Sequence, residues 1–172
     1  CDRGRHRRMD RLHGLFVRPG DLVFDVGSHV GDRVASFRRL GCRVVAIEPQ
    51  PALQPVLRLL FGRSRAVTRV QAAVGATEGT LELHLNLPNP TVATGSTAFV
   101  AAADGAPGWE GQRWSRRVTV PMTTPSRITS IVSKGSEVPT MMGRALATVP
   151  PFSGCTMATT VRVSTSKVPA SV

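Results

Sequence analysis

Two acidic residues flank a pair of glycines in residues 22–49, LVFDVGSHVGDRVASFRRLGCRVVAIEP. Asp25 precedes Gly27 and Gly31, and Glu48 ends a second apolar run. Glycine has no Cβ, so the backbone can turn tightly at these positions and approach a ligand closely. An acid about 20 residues after such a loop can accept hydrogen bonds from ribose hydroxyls. The spacing therefore predicts a nucleotide-cofactor site.

A strand, a helix and a second strand must position these residues. Residues 22–26 are apolar and rich in valine, as is typical of a buried parallel strand. Apolar residues recur at three- and four-residue spacing over 30–40, which predicts a helix, and 44–47 form a second apolar strand. In such a unit the glycine turn and the acid meet at the carboxyl edge of the sheet.

The form of the loop discriminates between cofactors. It is G-x-x-x-G, without the third glycine of the dinucleotide fingerprint, and Asp25 would place a carboxylate beside a pyrophosphate. S-adenosyl-L-methionine carries a sulfonium and an ammonium group and no phosphate, so Asp25 suits it electrostatically. The loop favours S-adenosyl-L-methionine. An NAD(P)-type Rossmann oxidoreductase and a turn without a ligand stay open as alternatives.

The rest of the chain extends the alternation of helices and strands. We predict a helix over 52–60, a third strand over 67–74, a half-buried alternating strand over 81–87 and a further strand over 117–122. Residues 88–111 read as a loop, either a substrate lid or a linker. This order predicts an α/β fold with a mostly parallel sheet and helices on both faces.

Composition divides the chain into three parts. Residues 1–11 are rich in arginine and are expected to form a basic tail or at most a partial helix. Residues 12–124 hold the α/β domain, and 125–172 are dominated by Ser and Thr with Glu137 as their one acid. The last part is expected to be disordered. No apolar segment is long enough for a membrane span, so we expect a cytoplasmic protein without a membrane partner.

The net charge of +11 raises the alternative of a basic nucleic-acid-binding protein without catalysis. The arginines are scattered, and no Tyr, two Trp and six Phe offer few stacking surfaces, which argues against it. The three cysteines and four histidines lack the paired spacing of metal ligands, so we expect no metal site.

Four segments together, FDVGSHVGD, AIEPQP, AAVGATEGTLELHL and VTVPMTT, resemble the FkbM-type methyltransferase family over residues 12–124. The resemblance implies a Rossmann-like class I fold and S-adenosyl-L-methionine-dependent O-methylation of a small hydroxylated acceptor such as a sugar, a polyketide or another metabolite. It implies that Glu48 holds the ribose and that Gln71 and Ala72 lie near the adenine. The residues that it places at the methionine end of the cofactor are Asp25, Gly27, Ser28, His29 and Gly31.

Methylation of a hydroxyl group needs a base that takes the hydroxyl proton. The sequence leaves the identity of this base open. The family supplies acids on a strand of the type Ile-Lys-Ile-Asp-Val-Glu-Gly, and no such strand follows Thr124. His29 and His84 have suitable intrinsic pKa values. His29 is expected to be a loop contact, and His84 is the candidate base. We expect a sheet that is incomplete on its C-terminal side, and a truncation or frameshift after Thr124.

Overall fold

The computed structural model describes residues 3–132 and the backbone of 133–134 and 160–163. Short 3₁₀ turns cover Pro51–Leu53 and Pro90–Val92. The helices are α1 Arg3–His13, α2 Asp32–Arg39, α3 Gln54–Phe61, α4 Thr97–Ala103 and α5 Pro125–Lys134. The strands are β1 Leu22–Val26, β2 Arg43–Ile47, β3 Val67–Val70, β4 Ala73–Val74, β5 Gly79–Leu85, β6 Arg116–Thr123 and β7 Thr160–Val163.

The first sheet has the strand order β3-β2-β1-β7. β1, β2 and β3 run parallel, with Leu22 opposite Arg43 and Val44 opposite Val67, and β7 is antiparallel to β1. The predicted α/β architecture is confirmed. The turn after β1 and the end of β2 lie at the same carboxyl edge.

Helix α2 covers one face of this sheet. Val23, Val44 and Ala46 project from the strands toward Val34 and Phe37, and all are fully or almost fully buried. Burial of such a side chain stabilises the fold by roughly 1.5–3 kcal/mol. This cluster fixes the axis of α2 and therefore the position of the loop that precedes it.

Helix α5 covers the other face, beyond the domain boundary that we expected at residue 124. Ile128 and Val132 are buried against Leu22, Val45 and Ile47. Pro125 suits the first position of a helix because its fixed φ matches the helical value. Ile128 and Val132 are only two buried apolar residues among Ser and Thr, so the sequence showed no clear helical period. Residues 135–159 and 164–172 of the expected tail lie outside the described residues.

The N-terminal segment, for which we expected a basic tail or at most a partial helix over 1–11, forms the helix α1. Asp10 accepts hydrogen bonds from Arg39 Nε at 2.8 Å and from Ser36 Oγ at 2.6 Å. The His13 ring stacks on Phe37 with 4.3 Å between centroids. These contacts with α2 order the segment despite its excess of arginine.

The second sheet has the order β4-β6-β5, with β4 parallel and β5 antiparallel to β6. Our prediction of one third strand over 67–74 was therefore wrong, because the chain leaves the first sheet at Gln71 and Ala72 and enters the second. Leu83, Ala93 and Val120 form the buried cluster of this sheet. Both pieces have the same apolar character, so periodicity alone could not divide them.

No helix in the described part of the chain is long and apolar enough to cross a bilayer.

Candidate cofactor site

A cavity of about 190 Å³ lies where the carboxyl edge of the first sheet meets the second sheet. Gly27, His29 and Glu48 form its polar side. Apolar residues of β4 and β5, among them Val74 and Leu83, also line it. The cavity thus offers both hydrogen-bonding groups and apolar contact to a ligand.

The turn after β1 is tied to the end of β2. The amides of Gly27 and Ser28 both donate to the carbonyl of Ile47, at 2.8 and 3.0 Å. Gly27 has φ +72 in the left-handed region, and a Cβ built there would meet no atom within 4 Å. The backbone at Gly27 therefore faces open space, as close approach of a ligand requires.

Glu48 is held by backbone donors on both of its carboxylate oxygens. The amide of His29 donates to Oε2 at 2.8 Å, and the amide of Gln50 donates to Oε1 at 2.9 Å. Glu48 is 2% exposed. Each carboxylate oxygen has a second lone pair, so the fixed group can still accept hydrogen bonds from a ligand.

Asp25 lies behind the turn and does not line the cavity. It is fully buried, and Arg33 Nε donates to its Oδ1 at 2.7 Å. Burial raises the pKa of Asp25, and the nearby Arg33 guanidinium opposes this effect. Arg33 therefore binds one of the two carboxylate oxygens, and Oδ2 is buried without a hydrogen-bond partner among the described residues. Asp25 does not line the cavity, so it does not face it as an anion for a sulfonium.

The structure brings part of the predicted set together around the cavity. The predicted residues that line it are Gly27, His29, Glu48 and Ala72. The predicted residues that support the turn without lining the cavity are Asp25, Ser28 and Gly31. Gln71 is exposed and lies in a separate groove beside Gln54 and Leu59.

The structure does not bring His84 to the cavity. His84 is 4% exposed and projects from β5 on the face opposite to Leu83, because neighbouring side chains of a strand alternate. It lines a second, open pocket with Asp104 and Trp114, and its Nε2 lies 3.9 Å from Glu82 Oε1.

The segment that we expected to be a loop over 88–111 contains α4 and forms a wall of the cavity. Pro90 and Thr91 line it, and Gln50 Nε2 donates to the Pro90 carbonyl at 3.2 Å. Trp114 Nε1 donates to the Val92 carbonyl at 2.9 Å. Sequence reasoning left open whether 88–111 is a substrate lid or a linker, and it missed Gln50, although Gln50 stands two residues after Glu48 in AIEPQP.

The residues present fit S-adenosyl-L-methionine. The Nε2 atom of His29 is buried beside the cavity and has no hydrogen-bond partner among the described residues, so it is available to a polar group of a ligand. Glu48 offers a fixed carboxylate to hydroxyls, and Ala72 and Val74 offer apolar contact to a purine. Within the described part of the chain, no group of three or more His, Cys, Asp or Glu is placed to hold a metal ion.

Comparison with known proteins identifies the family. Residues 25–135 match the family model described as the methyltransferase FkbM domain, beyond Thr124 and through α5. Over 92 residues the chain is 34% identical to the 31-O-demethyl-FK506 methyltransferase FkbM of Streptomyces tacrolimicus. The aligned region covers 52% of this chain and 35% of that protein. The chain thus spans about a third of the length of this relative. No solved structure matches the chain. The glycine turn, the fixed acid and the matched family model together show that the chain belongs to the FkbM methyltransferase family.

Proposed function

We propose that the chain carries the cofactor site of an S-adenosyl-L-methionine-dependent O-methyltransferase. The observation that supports this most directly is the Glu48 carboxylate, which two backbone amides hold at the edge of the cavity beside the Gly27 turn. A carboxylate that is already oriented can bind the two ribose hydroxyls with little further ordering.

The remaining contacts are proposed from the family resemblance, and the residues that line the cavity support them. Gly27 and His29 contact the methionine end of the cofactor, Glu48 binds the ribose, and Ala72 packs near the adenine. Asp25 and Ser28 stabilise the turn through hydrogen bonds and do not contact the cofactor. The cofactor supplies an electrophilic methyl group, and the chain contributes orientation, which can supply about 7–11 kcal/mol of the lowered barrier.

The proposed methyl acceptor is a hydroxyl group of a small molecule, such as a sugar, a polyketide or a related metabolite. The name of the Streptomyces relative, a methyltransferase of 31-O-demethyl-FK506, supports oxygen as the accepting atom. His29 serves as a cofactor contact in this proposal, because its amide is committed to Glu48 and its ring lies beside the cavity.

Calorimetric titration with S-adenosylhomocysteine tests the proposal. Glu48→Gln should weaken binding by roughly tenfold or more, because the fixed carboxylate is lost. Glu82→Gln is the matched control, since Glu82 is an exposed acid paired with Arg117 at 3.2 Å outside the cavity. This variant should bind like the wild type.

Two results would contradict the proposal. The first is a wild-type protein that releases no heat with S-adenosylhomocysteine. The second is tighter binding of NAD than of S-adenosylhomocysteine, which would favour an oxidoreductase. A parallel titration with duplex DNA at two salt concentrations checks the remaining alternative, because phosphate-driven binding weakens steeply with salt.

A further inference from the structure

Arg33 joins a buried carboxylate to the backbone of the glycine turn. It lies in the first turn of α2, where its Nε donates to Asp25 Oδ1 at 2.7 Å and its Nη2 donates to the Gly27 carbonyl at 2.5 Å. The Arg33 side chain is 31% exposed, while Asp25 has no exposed surface. One guanidinium therefore holds two acceptors in a fixed relative position.

The peptide group between Gly27 and Ser28 is held from two sides. Arg33 binds its carbonyl oxygen, and its amide nitrogen donates to Ile47 O at 3.0 Å. This peptide group is the first one of the turn that lines the cavity. The residue after Ser28 is His29, and its amide donates to Glu48. The orientation of the turn thus depends on a side chain that does not itself line the cavity.

We propose that Arg33 is a positioning residue of the cofactor site, which sets the glycine turn by bridging the Asp25 carboxylate and the Gly27 carbonyl. The inference rests on the proposed function, because the turn is the part that meets the methionine end of the cofactor. Lysine is a poor replacement, since a single ammonium lacks the planar fork that reaches both acceptors.

The role of Arg33 predicts a selective effect on two ligands. S-adenosylhomocysteine has the amino-acid end that meets the turn, and methylthioadenosine lacks it while keeping the adenosine. Loss of the Arg33 bridge should weaken S-adenosylhomocysteine roughly tenfold or more, and methylthioadenosine by less than about threefold. A general loss of structure would weaken both ligands equally.

The experiment is calorimetric titration of the full chain with both ligands. The variants are Arg33→Met, Arg33→Lys and the double variant Arg33→Met with Asp25→Asn. The double variant removes the buried carboxylate together with its partner, so any selective loss that persists there comes from the lost contact with Gly27. Arg33→Lys keeps the positive charge beside Asp25 and is the deciding variant if Arg33→Met does not fold. Its affinity for S-adenosylhomocysteine should fall selectively, but less than in Arg33→Met.

Arg39→Met is the matched control. Arg39 belongs to the same helix and pairs with Asp10 at 2.7 Å, away from the turn, so its loss should leave both affinities unchanged. Equal weakening of both ligands in the Arg33 variants, or no weakening, would overturn the inference while the proposed function stands. A wild-type chain that binds neither ligand would overturn both.

Discussion

The main-chain amide of His29 donates a 2.8 Å hydrogen bond to Glu48 Oε2 and so connects the turn after β1 with the acid at the end of β2. His29 adopts φ +50 to do this, a left-handed conformation that is uncommon for a residue with a side chain. Because the second oxygen of Glu48 is held by Gln50, the turn, the acid and the cavity wall behind Gln50 form one connected unit.

Replacement of Glu48 should therefore destabilise the fold as well as weaken the ligand. Glutamine offers one carbonyl oxygen where the carboxylate offers two, so Glu48→Gln leaves one buried amide without an acceptor. We expect the free energy of unfolding to fall by roughly 1–3 kcal/mol, as measured by urea denaturation without ligand. Glu82→Gln should change it by less than about 0.5 kcal/mol. Equal stability of the two variants would contradict the geometry at Glu48.

Gly31 should be far less tolerant of a side chain than Gly20. Both have a left-handed φ, +87 and +89, but a Cβ at Gly31 would lie 2.4 Å from the ring of Phe61, while one at Gly20 would meet no atom within 4 Å. Gly20→Ala should cost about 1 kcal/mol from backbone strain, and Gly31→Ala roughly 2–4 kcal/mol, because displacement of the ring is added. Thermal denaturation of both variants measures the difference. Similar losses would show that the ring moves aside freely.

Truncation of a buried side chain tests whether α5 belongs to the folded domain. Ile128 is buried against the first sheet, whereas Ile131 of the same helix is 44% exposed. Ile128→Ala should lower the free energy of unfolding by roughly 2–4 kcal/mol, and Ile131→Ala by less than about 1 kcal/mol. Urea denaturation of the two variants makes the comparison. If both were neutral, α5 would not pack on the sheet in solution.

The contact of α1 with α2 should depend on pH. The hydrogen bond and charge of Arg39 lower the pKa of Asp10 from 3.8 to about 2. Because the folded pKa lies below the unfolded one, this ion pair stabilises the folded state above pH 3.8 and is lost as the pH falls toward 2.

Asp10→Asn should then reduce the free energy of unfolding by roughly 1 kcal/mol near neutral pH, a value discounted for the partial exposure of the pair. The difference between variant and wild type should shrink as the pH falls below about 4. Urea denaturation at about pH 6 and about pH 3 measures both differences. A difference that stays constant over this range would contradict the assignment of the effect to the Asp10 charge.

The sequence predicted those parts of the fold that depend on local pattern. The β1-α2-β2 unit, its parallel pairing and the meeting of the Gly27 turn with Glu48 follow from apolar periodicity and from the position of glycines. Membership of the family was predicted from the motifs and confirmed.

The features that escaped prediction depend on contacts between distant residues. The Asp25 charge was expected to face the ligand, and only the folded geometry shows it paired with Arg33 behind the turn. Helix α5 escaped because two buried residues, Ile128 and Val132, carry its packing among Ser and Thr. Side chains of a strand alternate between its two faces, so Leu83 and His84 lie on opposite faces of β5. The sequence alone could therefore have predicted that His84 does not share the face of Leu83.

The passage from β3 to β4 constrains how this chain can vary in length. Only Gln71 and Ala72 separate the two strands. Val74 packs against the cluster under α5, and Ala73 packs against the cluster of the second sheet. Because strand side chains alternate, insertion or deletion of one residue at this crossing would exchange Ala73 and Val74 between the two cores. Related sequences should thus vary in length more readily at the exposed residues 104–105 than at this two-residue crossing.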